Sequence, residues 1–148
     1  MELELKHIAP YLPYGLEMAY RSHKTGIYEP RGKLVGITNH SFETHPVRLL
    51  IEGMDFEHIW MFKPILRPMS DITKSFYEIS YIDYLWFKVI GTDSDCFDLV
   101  EFYELCELGV IDRLPIIVFS QLLEWHFDVF GLIKQGLAVD VNSLKSEQ

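Results

Sequence analysis

Imidazoles, carboxylates and thiols are where chemistry would start in this chain, and few of them stand at spacings that chemistry uses. His40, Glu43 and His45 are metal-friendly side chains in a polar stretch. Their spacing matches no zinc signature, which pairs ligands across a turn or along one helical face, so a solvated loop is the expectation. His126 is the most suggestive single residue. Helical geometry puts it on an apolar stripe between Phe119 or Leu122 and Phe130. A buried neutral imidazole must pair both ring nitrogens. The expectation is therefore a core histidine bonded to a carbonyl or carboxylate, with a general-base or ligand role as the competing reading. Glu124 and Asp128 lie two residues away and point about 200° around the helix, so neither assists directly. Ser120 sits mid-helix, poorly placed as a nucleophile, and Asp93 and Asp95 are explained by helix-start duty. G-x-x-x-x-G-K-[ST], G-x-G-x-x-G and G-x-S-x-G do not occur. The balance of these residues leans against an enzyme without deciding it, and no cofactor or metal is expected.

The element that must position His126 is a helix from Leu114 to Leu132, with Pro115 in its first turn. Phe119, Leu123, His126 and Phe130 recur at helical spacing, and Gln121, Glu124 and Asp128 take the opposite face. Trp125 and Ile117 fall near its outer face, where an exposed tryptophan beside an apolar neighbour suggests a contact site. Thr92, Asp93 and Ser94 are expected to cap a second helix, from about Asp95 to Leu108, stopped by Gly109. Its inner face reads as Cys96, Leu99, Val100, Tyr103 and Cys106, its outer face as Asp98, Glu101 and Glu104. A short helix from about Asp71 to Ile79 is expected behind Ser70 or Asp71. Tyr81 to Ile90 is apolar all round and reads equally as buried helix or strand.

The first part of the chain reads as strands. Leu16–Tyr20, Lys33–Thr38, Val47–Ile51 and Phe56–Phe62 are the four expected, separated by polar, Gly- and Pro-containing stretches. Pro64 and Pro68 mark the passage from sheet to helices. Residues 7–15 carry two X-Pro pairs and should be extended, clipping Tyr11, Leu12 and Tyr14 onto the body before a turn at Gly15. Ala138–Val141 reads as a last strand, and Asn142–Gln148 as a frayed tail. The fold class is α+β in one domain, 1–148. It is sheet-rich over 1–62, as a small antiparallel sheet, and helix-rich over 69–136, around one long central helix.

Composition narrows the function further. An apolar content of 49% and aromatic content of 14% argue against disorder. No apolar run reaches membrane-spanning length, and M-E-L-E-L-K-H lacks the order of a signal peptide. Cys96 and Cys106 lie too far apart along one helix to pair. Both read as buried thiols in a reducing, cytoplasmic setting. Charge is lopsided: residues 1–90 hold eleven acids against ten bases, residues 91–148 eleven against three. The acidic half repels phosphate backbones, which disfavours nucleic acid. Arg21, His23, Lys24, Arg31 and Lys33, with Tyr20 and Tyr28 between them, form the one basic stretch that would track a strand of phosphates.

Three phrases carry a resemblance: H-I-A-P-Y-L-P-Y-G-L (7–16), K-P-I-L-R-P-M-S-D-I-T (63–73) and W-H-F-D-V-F-G-L-I-K-Q-G-L-A-V-D-V-N (125–142). They resemble a group of small proteins without assigned activity from Bacteroidetes genomes and their phages or prophages. The resemblance implies a source but no mechanism, and the expected location is the cytoplasm of a bacterial host cell. The leading expectation is an accessory protein that binds another protein through an acidic helical face, with His126, Trp125, Ile117, Asp98, Glu101 and Glu104 as interaction or pocket residues. A homo-oligomer is compatible with this. The alternatives are a small-molecule binder or enzyme with a pocket near His126, and nucleic-acid binding through residues 20–33.

Overall fold

The computed structural model describes residues 2–39, 46–75, 78–90, 99–108 and 110–145. In chain order these form α1 (Leu5–Ile8), β1 (Glu17–Arg21), β2 (Tyr28–Asn39), β3 (Val47–Ile51), β4 (Glu57–His58), β5 (Phe62–Leu66), α2 (Tyr81–Tyr84), α3 (Leu99–Leu108), α4 (Ile116–Glu124), β6 (Val139–Asp140) and α5 (Val141–Lys145). The fold is α+β, as the residue patterns predict. Two compact units are distinguished, Met1–Leu66 with Phe130–Gln148, and Arg67–Val129.

The first unit is built on a six-stranded sheet in the order β4-β3-β2-β1-β5-β6. Every pairing is antiparallel except β5 with β6, where Ile65 and Leu66 run parallel to Val139 and Asp140. The sheet is therefore mixed and closes with a strand from the C-terminal end. β2 is twice the expected length because it serves two partners in turn. Residues 28–33 pair with β1, and residues 34–39 with β3. Bulges at Arg31 and Val35 let it bend between them. Pro30 is tolerated because its segment pairs on one side only, and Pro64 likewise pairs with Met18 of β1 but not with β6. Tyr11, Leu16, Met18, Leu49, Phe62 and Leu66 are buried in this core. Burial of each such side chain is worth about 1.5–3 kcal/mol.

Residues 7–15 are not extended. α1 is followed by a 3-10 helix over Ala9–Tyr14, with Pro10 in its first turn, where a missing N–H costs nothing. The backbone N–H of Glu4 donates to Nδ1 of His7 at 3.0 Å, which closes the start of α1. Tyr11 is the residue driven into the core, edge-on to Phe130 at 6.2 Å. The expected turn at Gly15 is present, with φ 61° and ψ 49°. Asn142 onward does not fray at once. The Asp140 carboxylate accepts from the Asn142 N–H at 2.8 Å and starts α5.

The second unit is helical. The expected helix over 71–79 is a 3-10 turn, Met69–Thr73, ended by Lys74 in extended geometry. The capping residue is Ser80 rather than Ser70 or Asp71: its Oγ accepts from the Asp83 N–H at 3.2 Å and starts α2. Tyr81–Ile90 resolves as helix, continuing α2 as a π-helical turn over Leu85–Ile90. Thr92, Asp93, Ser94, Cys96 and Gly109 lie outside the described residues, as do His40, Glu43 and His45.

The single long helix over 114–132 is not formed. α4 ends at Glu124, and the chain turns by a Schellman arrangement. The Phe127 N–H reaches back to the Leu122 carbonyl at 2.9 Å, and the His126 N–H to that of Leu123 at 3.0 Å. Phe127 and Leu122, the two positions whose apolar side chains usually accompany such a turn, are both fully buried.

Candidate functional site

His126 occupies the left-handed position of that turn, with φ 60°, unlike any other non-glycine among the described residues. It is half-exposed, not sealed on an apolar stripe. The stripe fails because a helix that stops at Glu124 cannot carry its periodicity to 126 and 130. Its backbone has a clear task. The His126 carbonyl accepts from the Arg67 N–H at 2.8 Å, and the Asp128 N–H donates to the Arg67 carbonyl at 2.7 Å. Asp128 is buried there, not on an exposed helix face. Histidine tolerates this region better than branched residues do. His126→Gly is expected to hold or raise stability by about 0.5 kcal/mol, and His126→Val to lower it by about 2 kcal/mol. Thermal unfolding of the two variants checks both signs.

Trp125 is packed rather than displayed. Its ring meets Tyr81 at 5.1 Å and Tyr84 at 5.4 Å. Tyr103 of α3 donates its hydroxyl to Oδ1 of Asp83 in α2. Burial, with the hydrogen bond and the charge of Asp83 behind it, pushes the Tyr103 phenol from 10.0 up to about 12. The folded protein therefore keeps this proton through a pH range where the unfolded chain releases it. That contribution to stability is complete below pH 10 and is lost as pH rises toward 12. An alkaline melting series should show this loss, and Tyr103→Phe should shrink it.

α3 presents two different faces. Phe102, Leu105 and Cys106 are buried. Val100, expected on that inner face, is 61% exposed instead. The buried arc centres on the larger Phe102, which turns Val100 outward. Val100, Glu101, Glu104 and Leu108 fall within about 100° of one another on a 3.6-residue helix, and all are exposed. Leu108 is 76% exposed. Glu101 pairs with Arg113 at 3.2 Å, and both side chains lie in solvent, so the pair is worth little. On α4, Ile116 and Ile117 are also exposed, and Glu124 shares the face of Ile117. Of the six expected site residues, Glu101, Glu104 and Ile117 are thus on the surface. Trp125 and His126 lie in the turn after α4, and Asp98 is outside the described residues.

The basic stretch forms the β1–β2 hairpin. Register places Glu29 opposite Tyr20 and Glu17 opposite Lys33, so carboxylates stand among the bases. The Tyr20 ring packs on Phe62 at 5.2 Å, and Lys63 Nζ lies 4.5 Å over the Tyr28 ring. Both tyrosine rings are thus engaged with the chain itself.

Sequence reasoning missed one feature of the first unit, a hollow of about 680 Å³ lined by the N-terminal segment, the start of β3 and the Ile59–Met61 turn. Its residues are far apart in sequence, and no periodic signal marks them. His126 is not among its lining residues. Among the described residues, no three His, Cys, Asp or Glu side chains gather as a metal site. No helix there is long and apolar enough to cross a membrane. Comparison of the chain with protein-family models, with known proteins and with solved structures finds no match.

Proposed function

We propose that this chain is a non-enzymatic protein-binding module that docks a basic, partly apolar surface of another protein on the outer face of α3. The reading rests on one observation. Val100 and Leu108, large and apolar, stand in solvent on the same arc as Glu101 and Glu104. Leaving two such side chains in water forgoes burial worth about 1.5–3 kcal/mol each. The carboxylates between them select the sign of the partner. The acidic balance of residues 91–148 favours the same sign at longer range. The resemblance to proteins of Bacteroidetes genomes and their phages supports an accessory role in a bacterial host cytoplasm.

Two paired variants test it in affinity capture from such a host. Val100→Ser with Leu108→Ser removes the apolar anchors, and Glu101→Lys with Glu104→Lys reverses the charge. Each pair should weaken binding of the same captured protein by about 30-fold or more, equivalent to about 2 kcal/mol. Lys24→Glu, in the exposed β1–β2 loop, should leave it unchanged. A partner retained equally by both paired variants would overturn the assignment.

A further inference from the structure

The hollow in the first unit has a composition that selects a ligand independently of α3. Leu3, Leu5, Val47, Ile59 and Trp60 make its walls apolar, and Glu2 and Glu4 are its two charged lining residues. Its volume of about 680 Å³ lies within the range of small-molecule clefts. A second hollow of about 150 Å³ shares Glu2, Leu3 and Trp60 with it, so these residues stand where the two meet.

The two carboxylates are not equivalent. Glu4 is engaged by Lys6 Nζ at 3.2 Å. Glu2 is exposed and forms no ion pair among the described residues. Trp60 lines both hollows with Glu2 and is 52% exposed; one ring face stacks on His58 at 6.1 Å, and the opposite face is the one a cation would use. The smaller hollow already shows such an interaction, since Lys63 Nζ sits over the Tyr28 ring there. An anion entering the larger hollow would meet carboxylates, and a neutral apolar molecule would use the apolar walls but gain nothing from the Glu2 charge. A molecule with an apolar body and one cationic head satisfies both parts of the site.

We propose that this hollow binds a small amphiphilic amine, its apolar body against Leu3, Leu5, Val47 and Ile59 and its ammonium between the Glu2 carboxylate and the Trp60 ring. The geometry requires no covalent step. Three probes with the same eight-carbon body separate head from tail: octylamine, octanol and octanoate. The readout is the indole N–H resonance of Trp60 in a 1H–15N spectrum, assigned by its loss in Trp60→Phe. Octylamine should shift that resonance and bind about tenfold more tightly than octanol, with octanoate weakest. Glu2→Gln, a change at an exposed position that leaves the core intact, should bring octylamine down to the affinity of octanol. Equal affinities for amine and alcohol in the unaltered protein, an unmoved Trp60 resonance, or an unchanged preference in Glu2→Gln would each overturn the proposal.

Discussion

Phe127→Ala is expected to cost about 3–5 kcal/mol of stability, a large part of the about 5–15 kcal/mol that holds a typical domain folded. The residue is completely buried. Its ring meets Tyr81 edge-on at 5.1 Å and Trp125 at 6.3 Å, and the Arg67 guanidinium lies 5.9 Å from its centre. It is also the residue that closes the turn after α4, through its N–H bonded to the Leu122 carbonyl. Truncation removes the packing at the point where the chain reverses, so little relaxation is available to fill the space. Denaturant unfolding followed by tryptophan emission measures the loss. Phe87→Ala, at a position 66% exposed, should change stability by no more than about 0.5 kcal/mol. Similar values for the two variants would contradict the account of this core.

Asp71→Ala is the second large effect, about 3 kcal/mol. The Asp71 side chain is 4% exposed, with Lys74 Nζ at 2.7 Å and Arg67 Nη1 at 3.8 Å. Arg67 is itself three-quarters buried, and its guanidinium lies 5.2 Å from the centre of the Tyr81 ring. Removing the carboxylate strands that guanidinium, whose Nε is buried and makes no hydrogen bond. Lys74 is different, because its side chain is 61% exposed and water receives its charge if the pair is broken. Lys74→Met should therefore cost no more than about 1 kcal/mol. The asymmetry between the two ends of one ion pair is the diagnostic, and chemical denaturation of the two variants reads it directly.

How far the sequence foretells these features depends on whether the signal is local. β3 is found with its expected bounds, Val47–Ile51, because it is a short apolar run between turn residues. β1 and the turn at Gly15 are legible for the same reason. β2 is not, since Pro30 and Gly32 read as loop residues until the partner on each side is known. Only pairing to one neighbour at a time makes a proline acceptable there. The same blindness hides β5 behind Pro64. The stripe through Phe119, Leu123, His126 and Phe130 is a true periodicity over a helix that ends too early. No glycine marks the stop at 126, and the turn is secured instead by Phe127 packing and by backbone bonds to Arg67, about sixty residues away in sequence. Asp71 reads as a cap because nothing local reveals Arg67 and Lys74 closing on it. Glu101 and Glu104 are correctly placed outward from the helical period alone. The exposure of Val100 and Leu108 beside them required the packing of Phe102 to be known.

The docking role proposed for α3 is tested most directly by placing a photocrosslinking amino acid at position 108 in cells of the proposed bacterial host, with position 24 as the control. Irradiation should yield one discrete adduct from position 108, joined to a lysine- or arginine-rich surface of a single protein, and none from position 24. The same adducts from both positions, or no adduct from position 108, would contradict the assignment of that helix face as the docking surface.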